Sequence, residues 1–361
     1  MNKIKVLMLG SEVTVKGGMT SVVLSFLNNK FENAEIKFFP THYNCNNMKK
    51  IFKYTIRIFP LTNEIKKSDI IHMHMSERGS FIRKYIAFKI SKRFNKKVIV
   101  HMHGAEFKEY YENANNLIKK RIVNLLLNSD YVITLGKNWN DYVKKINPQI
   151  NSFILKNAVE VNDTKVSYIN NEFNILFLAI IDKRKGIYDL VDAAKIILNN
   201  YSGDKKIKFI IAGSGKEENK IKKAVEESGM NNYFEFTGWI TGDEKIKLLK
   251  KSQLFVLPSY NEGLPISILE AISYGLPVIS TNVGSINEAI KNDINGYMLN
   301  PGDIIGLVEK IEELVDNYDK WYKLSRNSKR IALEEFDLKK YFKQMDDIYL
   351  SLVDNGLEIG E

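Results

Sequence analysis

The chain reads as α/β, with two doubly wound domains following one another. Three observations predict this. Short apolar runs rich in Val, Ile and Leu alternate with amphipathic stretches, the pattern of buried parallel strands joined by helices. The alternation breaks at one polar interval, Glu160–Glu172, and then restarts. The length of 361 residues suffices for two domains of ordinary size, and 44% apolar with 27% charged residues is a normal globular balance.

In the first block the apolar runs predict strands at Ile4–Leu9, Ile36–Phe39, Asp69–His74, Lys97–His103 and Tyr131–Thr134, with a weaker one at Ile154–Leu155. Helical periodicity fills Thr20–Asn28, Phe81–Arg93 and Leu117–Asn128. In the second block strands are predicted at Asn174–Ile181, Lys208–Ala212, Phe234–Thr237, Leu254–Leu257 and Pro277–Ser280. Helices are predicted at Ile187–Asn199, Glu217–Ser228, Asp243–Lys251, Pro265–Tyr274, Ile286–Ile290 and Ile304–Asn317. The domains expected are therefore 1–160, a linker 161–172, and 173–337. A last amphipathic helix, Leu338–Leu352 within 338–361, is expected to pack back on the first domain.

No window approaches the roughly 20 apolar residues that span a bilayer. The start, Lys3–Gly10, has too short an apolar run for a signal peptide. A single cysteine, Cys45, excludes an intramolecular disulfide framework and a Cys-rich metal site, which points to the reducing cytoplasm. The net charge of +10 is uneven. Residues 1–160 hold 27 basic and 12 acidic side chains, a balance of +15, and the remainder balances at −5. The basic half suggests an anionic partner surface.

The most informative segment is Ser259–Ala271, which places Glu262 and Glu270 eight positions apart around Gly263, Leu264 and Pro265. Proline suits a helix start, so Glu262 is expected in the loop ahead of the helix and Glu270 about one and a half turns inside it. Two carboxylates flanking the free amides of a helix N-terminus suit a ligand bearing hydroxyls and phosphates. Two surface glutamates around a helix start fit the spacing as well.

Other motifs lie at predicted strand ends, where ligands gather in open α/β sheets. Gly17-Gly18-Met19 follows the first strand and suits either close backbone approach to a ligand or a plain turn. It is neither a full dinucleotide fingerprint nor a phosphate loop. His101-Met102-His103-Gly104 and His72-Met73-His74 each put two imidazoles on one strand face. No carboxylate or cysteine cluster accompanies these four histidines, so no metal is assigned, and His103 beside Gly104 is expected to face the ligand. Asp182–Gly186 offers Arg184 and Lys185 to a departing diphosphate, or forms a solvated basic turn. Gly213-Ser214-Gly215 and Gly238-Trp239 admit a flat base or turn the chain. Basic residues also interleave with apolar ones over Met48–Pro60 and Phe81–Lys97, which fits an anionic membrane surface or the solvated face of an ordinary helix. No nucleic-acid-binding motif accompanies the charge.

In this order and spacing the segments resemble the retaining glycosyltransferases of family 4. The similarity covers nearly the whole chain and is strongest over residues 173–303, through Arg184-Lys185-Gly186, Ala212–Gly215, Gly238-Trp239, Asn261–Pro265, Glu270-Ala271 and Gly275–Val278. It implies the GT-B fold, two Rossmann-like domains facing across a cleft, and transfer of a sugar from a nucleotide-sugar donor with retention and without a metal or other cofactor. It further implies that Glu270 receives the ribose, that Glu262 holds sugar hydroxyls, with Gly263, Leu264 and Pro265 alongside, and that Lys185 stabilises the leaving diphosphate. Arg184, Gly213, Gly238 and Trp239 would line the donor. His103 would orient the sugar, and Gly17 and Gly18 would let the first domain's loop approach it.

One position departs from the family. Its usual Gly-Arg pair at the strand end reads Ala179-Ile180 here. Either Arg184 supplies the second positive charge or the diphosphate is held differently. The expected function is a cytoplasmic glycosyltransferase, peripheral at the inner membrane face, using a UDP-sugar rather than a GDP-sugar. Its acceptor would be a glycan or lipid-linked acceptor in surface-polysaccharide biosynthesis. The rivals are a sugar-nucleotide epimerase or phosphorylase, a non-catalytic sugar-nucleotide-binding protein and, more remotely, a nicotinamide oxidoreductase.

Overall fold

The computed structural model describes residues 3–15, 17–42, 54–161, 163–164, 166–169 and 171–353. Its contacts divide the chain into one unit of Met1–Asn157 with Lys339–Glu361 and another of Ala158–Leu338. Cys45 and the basic residues at 48–53 lie outside the described residues.

The first unit holds strands β1 (Ile4–Ser11), β2 (Ala34–His42), β3 (Ile70–Met75), β4 (Lys97–Met102), β5 (Tyr131–Thr134) and β6 (Ser152–Ile154). They form a parallel sheet in the order β2-β1-β3-β4-β5-β6. Every residue of β3 is buried, as a strand covered by helices on both faces requires. The strand order reverses between β1 and β3, which marks a switch point at their carboxyl ends. The sequence pattern missed three helices here, Ile58–Lys67, Phe107–Glu112 and Lys137–Ile146. Each fully buries only one or two side chains, and in the last of them Trp139, Tyr142 and Ile146 flank buried Val143 as a partly exposed apolar face.

The helix Leu338–Val353 completes this unit. Asp346 accepts from the Asn33 backbone N–H at 3.0 Å and from its side-chain amide at 2.8 Å. Phe342 stands edge-on to Phe26 and Phe31, and Tyr349 meets His72 at 2.8 Å.

The helix Gly79–Arg93 differs from the basic amphipathic reading. Lys84 is fully buried, and its Nζ donates to the Thr41 hydroxyl at 2.5 Å. Ile82 of the same helix is exposed. Burial holds the Lys84 ammonium well below the usual lysine range, and nearby Arg83 pushes it the same way. A lysine counted toward the surface charge is therefore part of the core. No helix among the described residues is long and apolar enough to cross a membrane.

The second unit holds β7 (Glu172–Leu178), β8 (Lys206–Ala212), β9 (Phe234–Gly238), β10 (Leu254–Leu257), β11 (Val278–Thr281) and β12 (Gly296–Leu299), parallel in the order β12-β11-β10-β7-β8-β9. Its switch point lies between β7 and β10. Strand β12 and the helix Tyr318–Glu335 are additions to the sequence reading. The polar interval after Ala158 lies along this unit: Val166 donates its N–H to the Tyr274 carbonyl at 3.2 Å, and Tyr168 packs 5.1 Å from Trp321.

Candidate active site

Two loops leave the carboxyl edge of the second sheet on either side of its switch point, where an open α/β sheet leaves room for a ligand. The loop after β7 runs through Ala179-Ile180 into a single 3-10 turn, Lys183–Lys185. The Asp182 carboxylate caps that turn by accepting the Arg184 N–H at 2.9 Å. Gly186 then reverses the chain at φ 70°, where a Cβ would collide with the Pro258 carbonyl oxygen. Only glycine lets the β7 and β10 loops approach so closely. The Tyr260 N–H donates to the Arg184 carbonyl at 2.8 Å and ties the loops together.

This crossing delivers Lys185 to Glu262. Nζ lies 2.5 Å from Oε1, and the two side chains are 13% and 6% exposed. The Ser259 hydroxyl donates to the same carboxylate oxygen at 2.8 Å. A largely buried, ion-paired carboxylate with a lysine beside it offers both an acceptor for sugar hydroxyls and a cation for phosphate. Adjacent Arg184 turns elsewhere. It donates through Nη1 to the Asn261 carbonyl at 3.3 Å and lines an open cavity of about 580 Å³ with Lys183, Tyr188, Asp189, Lys220 and Tyr260.

The segment 262–270 folds largely as its sequence suggests. The helix runs Ile266–Ser273, and Pro265 is its extended N-cap rather than its first turn. Gly263 accepts from the Ser285 N–H through its carbonyl at 2.8 Å, and Leu264 is buried. Glu270 lies inside the helix, where its Oε1 meets Lys245 Nζ at 2.5 Å. Burial raises the Glu270 carboxyl above the usual range, while the Lys245 charge and hydrogen bond lower it. Lys245, on the helix Gly242–Lys251, escaped the sequence reading because it is one of four lysines in that helix and nothing in the pattern singles it out.

Gly213 and Gly238 are bonded to each other, N–H to carbonyl at 2.8 Å, at the carboxyl ends of β8 and β9, and half-buried Trp239 follows. The backbone at Ala179 and Ile181 pairs with the Ala212 and Ser214 carbonyls at 3.1 and 3.2 Å. The loop therefore keeps a regular path despite lacking the Gly-Arg pair.

In the first unit Gly17 precedes the helix Gly18–Asn28, and its carbonyl accepts the Thr20 N–H at 3.1 Å. His103 leaves β4 with its N–H on the Met75 carbonyl at 2.8 Å, and its Nε2 lies 2.8 Å from His74 Nδ1. The structure draws His72, His74 and His101 together, with one nitrogen of each within 4.8 Å of the others. His72 Nε2 and His101 Nδ1 are already 3.3 Å apart as a hydrogen-bonded pair. Burial holds all four histidines below the usual histidine range, His72 and His103 at about 3.

Comparisons with known proteins follow the same lines. Residues 159–331, nearly all of the second unit, match the family model described as glycosyl transferases group 1. The chain is 26% identical over 343 residues to a UDP-Gal:alpha-D-GlcNAc-diphosphoundecaprenol alpha-1,3-galactosyltransferase of Escherichia coli, covering 88% of this chain and 84% of that protein. Sucrose-phosphate synthase of Thermosynechococcus elongatus superposes with a TM-score of 0.80 at 16% identity, covering 98% of this chain and 100% of the other. HepE of Anabaena, solved with UDP and glucose, superposes at 0.77 and 16% identity, covering 96% and 100%. The chain is thus a glycosyltransferase whose two doubly wound units are those of the GT-B fold, and its second unit is the part that matches the group 1 family model.

Proposed function

We propose that this glycosyltransferase takes its sugar from a nucleotide-sugar donor, UDP-linked, and moves it with retention and without a metal to a hydroxyl of a lipid-linked acceptor in surface-polysaccharide assembly. The Lys185–Glu262 pair at the second unit's switch point carries this reading. As the donor bond breaks, charge gathers on the diphosphate. A positioned cation there supplies the kind of electrostatic stabilisation whose single donors contribute on the order of 3 kcal/mol. Glu262 takes the sugar hydroxyls and Glu270 the ribose. His103 orients the sugar, and Gly17 and Gly18 leave the backbone bare for close approach.

UDP is favoured because HepE was solved with it, and the lipid-linked acceptor because the Escherichia coli relative is a galactosyltransferase of a GlcNAc-diphosphoundecaprenol. A cytoplasmic location at the membrane face accords with the basic balance of the first 160 residues. The deciding experiment incubates the protein with labelled UDP- and GDP-sugars and a diphospholipid-linked acceptor in EDTA. An α-linked product from an α-linked UDP-sugar supports the reading. An inverted product, or dependence on added metal, overturns its mechanism. Vesicle sedimentation with and without anionic lipid tests the surface association.

A further inference from the structure

Four histidines share one region at the junction of β3 and β4. His74 and His101 face each other in register across the two strands. His72 lies two residues before the one and His103 two residues after the other. The rings of His74 and His103 stack with centroids 5.0 Å apart, joined by the 2.8 Å contact between His74 Nδ1 and His103 Nε2. One of these two nitrogens must carry the bridging proton.

The other nitrogen of His74 decides between them. Its Nε2 is buried and has no hydrogen-bond partner among the described residues. If His103 donated the bridging proton, neutral His74 would carry its own on Nε2, as a buried N–H with no acceptor. Orphaned buried N–H groups are rare in native structures. With the proton on Nδ1, His74 donates to His103 and strands no donor. His103 Nε2 then accepts, and the one proton of that neutral ring sits on Nδ1. Burial keeps both rings neutral at ordinary pH, so the tautomer rather than the charge is what varies.

We infer that His74 is a positioning residue that holds His103 in the tautomer with its proton on Nδ1, so that His103 presents an N–H donor rather than a bare nitrogen to a hydroxyl of the donor sugar. This rests on the reading of His103 as the residue that orients the sugar. The main-chain bond from His103 to Met75 fixes the residue across the strands, and His74 fixes which ring nitrogen is a donor.

Histidine-selective 15N labelling of the full chain tests this. Long-range proton–nitrogen spectra identify the His103 signals by their loss in His103→Gln. In the wild type both His103 and His74 should carry their protons on Nδ1. His74→Gln, whose amide can still donate, should keep the His103 tautomer. His74→Leu should release it and lower kcat about tenfold or more, with the donor KM little changed. A wild-type His103 protonated on Nε2, or an unchanged tautomer in a folded His74→Leu protein, overturns the inference. If that variant does not fold, the wild-type spectrum alone decides. Full turnover in His103→Ala, which has no side-chain donor, would instead refute the sugar-orienting role while leaving the tautomer assignment standing.

Discussion

Lys245 Nζ rests 2.5 Å from Glu270 Oε1, and its charge and hydrogen bond oppose the effect of burial on that carboxylate. Burial favours the protonated acid and Lys245 favours the ion, so the lysine keeps Glu270 an acceptor. Removing it as Lys245→Met should push the Glu270 pKa further up. The carboxylate would then protonate as pH falls toward the raised value, and donor KM should climb with falling pH more steeply than in the wild type. A several-fold rise at pH 7 is expected for losing one charge-assisted bond. Lys245→Arg should restore most of the affinity, and kcat should change little. A donor KM that follows the same pH profile in both proteins would exclude this role.

Lys185 and Glu262 should fail differently from one another. Glu262→Gln leaves a largely buried ammonium without its anion, which costs on the order of 3–5 kcal/mol in comparable buried pairs. Lys185→Met leaves a carboxylate that still accepts from Ser259. Both variants should lose about a hundredfold or more in turnover. Glu262→Gln should show the larger fall in melting temperature. Calorimetry beside a turnover assay checks both halves.

Gly186 and Gly229 share a left-handed backbone, at φ 70° and 68°, but not their surroundings. A Cβ at Gly229 meets nothing within 4 Å, so Gly229→Ala carries backbone strain alone, about 1 kcal/mol. A Cβ at Gly186 meets the Pro258 carbonyl, so Gly186→Ala must also part the two loops. It should destabilise more than Gly229→Ala and lower turnover as well, because Lys185 moves with the loop. Equal melting temperatures and equal rates for the two variants would count against the close approach.

Buried neutral histidines make the first unit acid-sensitive. His72 and His103 have folded pKa values near 3, below the value of about 6.5 for an exposed histidine. Their contribution is fully present above pH 6.5. It declines as pH falls toward 3, because only the unfolded chain takes up the protons. Each should remove on the order of 1.4 kcal/mol per pH unit within that window. Denaturant unfolding at pH 7 and pH 5 should show the loss, and His72→Phe should flatten it.

The architecture was largely legible because both sheets are parallel and buried, so their strands are unbroken apolar runs such as Ile70–Met75 and Leu254–Leu257. Glu262, Glu270 and Lys185 were legible because local sequence sets them at strand ends and a helix start. The partners of these residues were not. Lys245 reaches Glu270 from another helix, and periodicity carries no information about which of several lysines will do so. Lys84 misled for the opposite reason: a charge on an amphipathic pattern reads as solvated, and its partner, the Thr41 hydroxyl, lies across the fold. Strand β12 reads Gly-Tyr-Met-Leu from Gly296, and unlike the other four-residue strands it has no β-branched residue to mark it.

The closing helix Leu338–Val353 has a consequence for how the molecule is made. A polypeptide emerging from the ribosome holds Phe26, Phe31 and His72 long before it holds Phe342, Asp346 and Tyr349, the side chains that cover or bond them. The amino-terminal half must therefore wait, with aromatic rings bare, until translation has passed through the whole intervening unit. Emergence of the helix Leu338–Val353, and not completion of the first six strands, is the moment at which that half can become native.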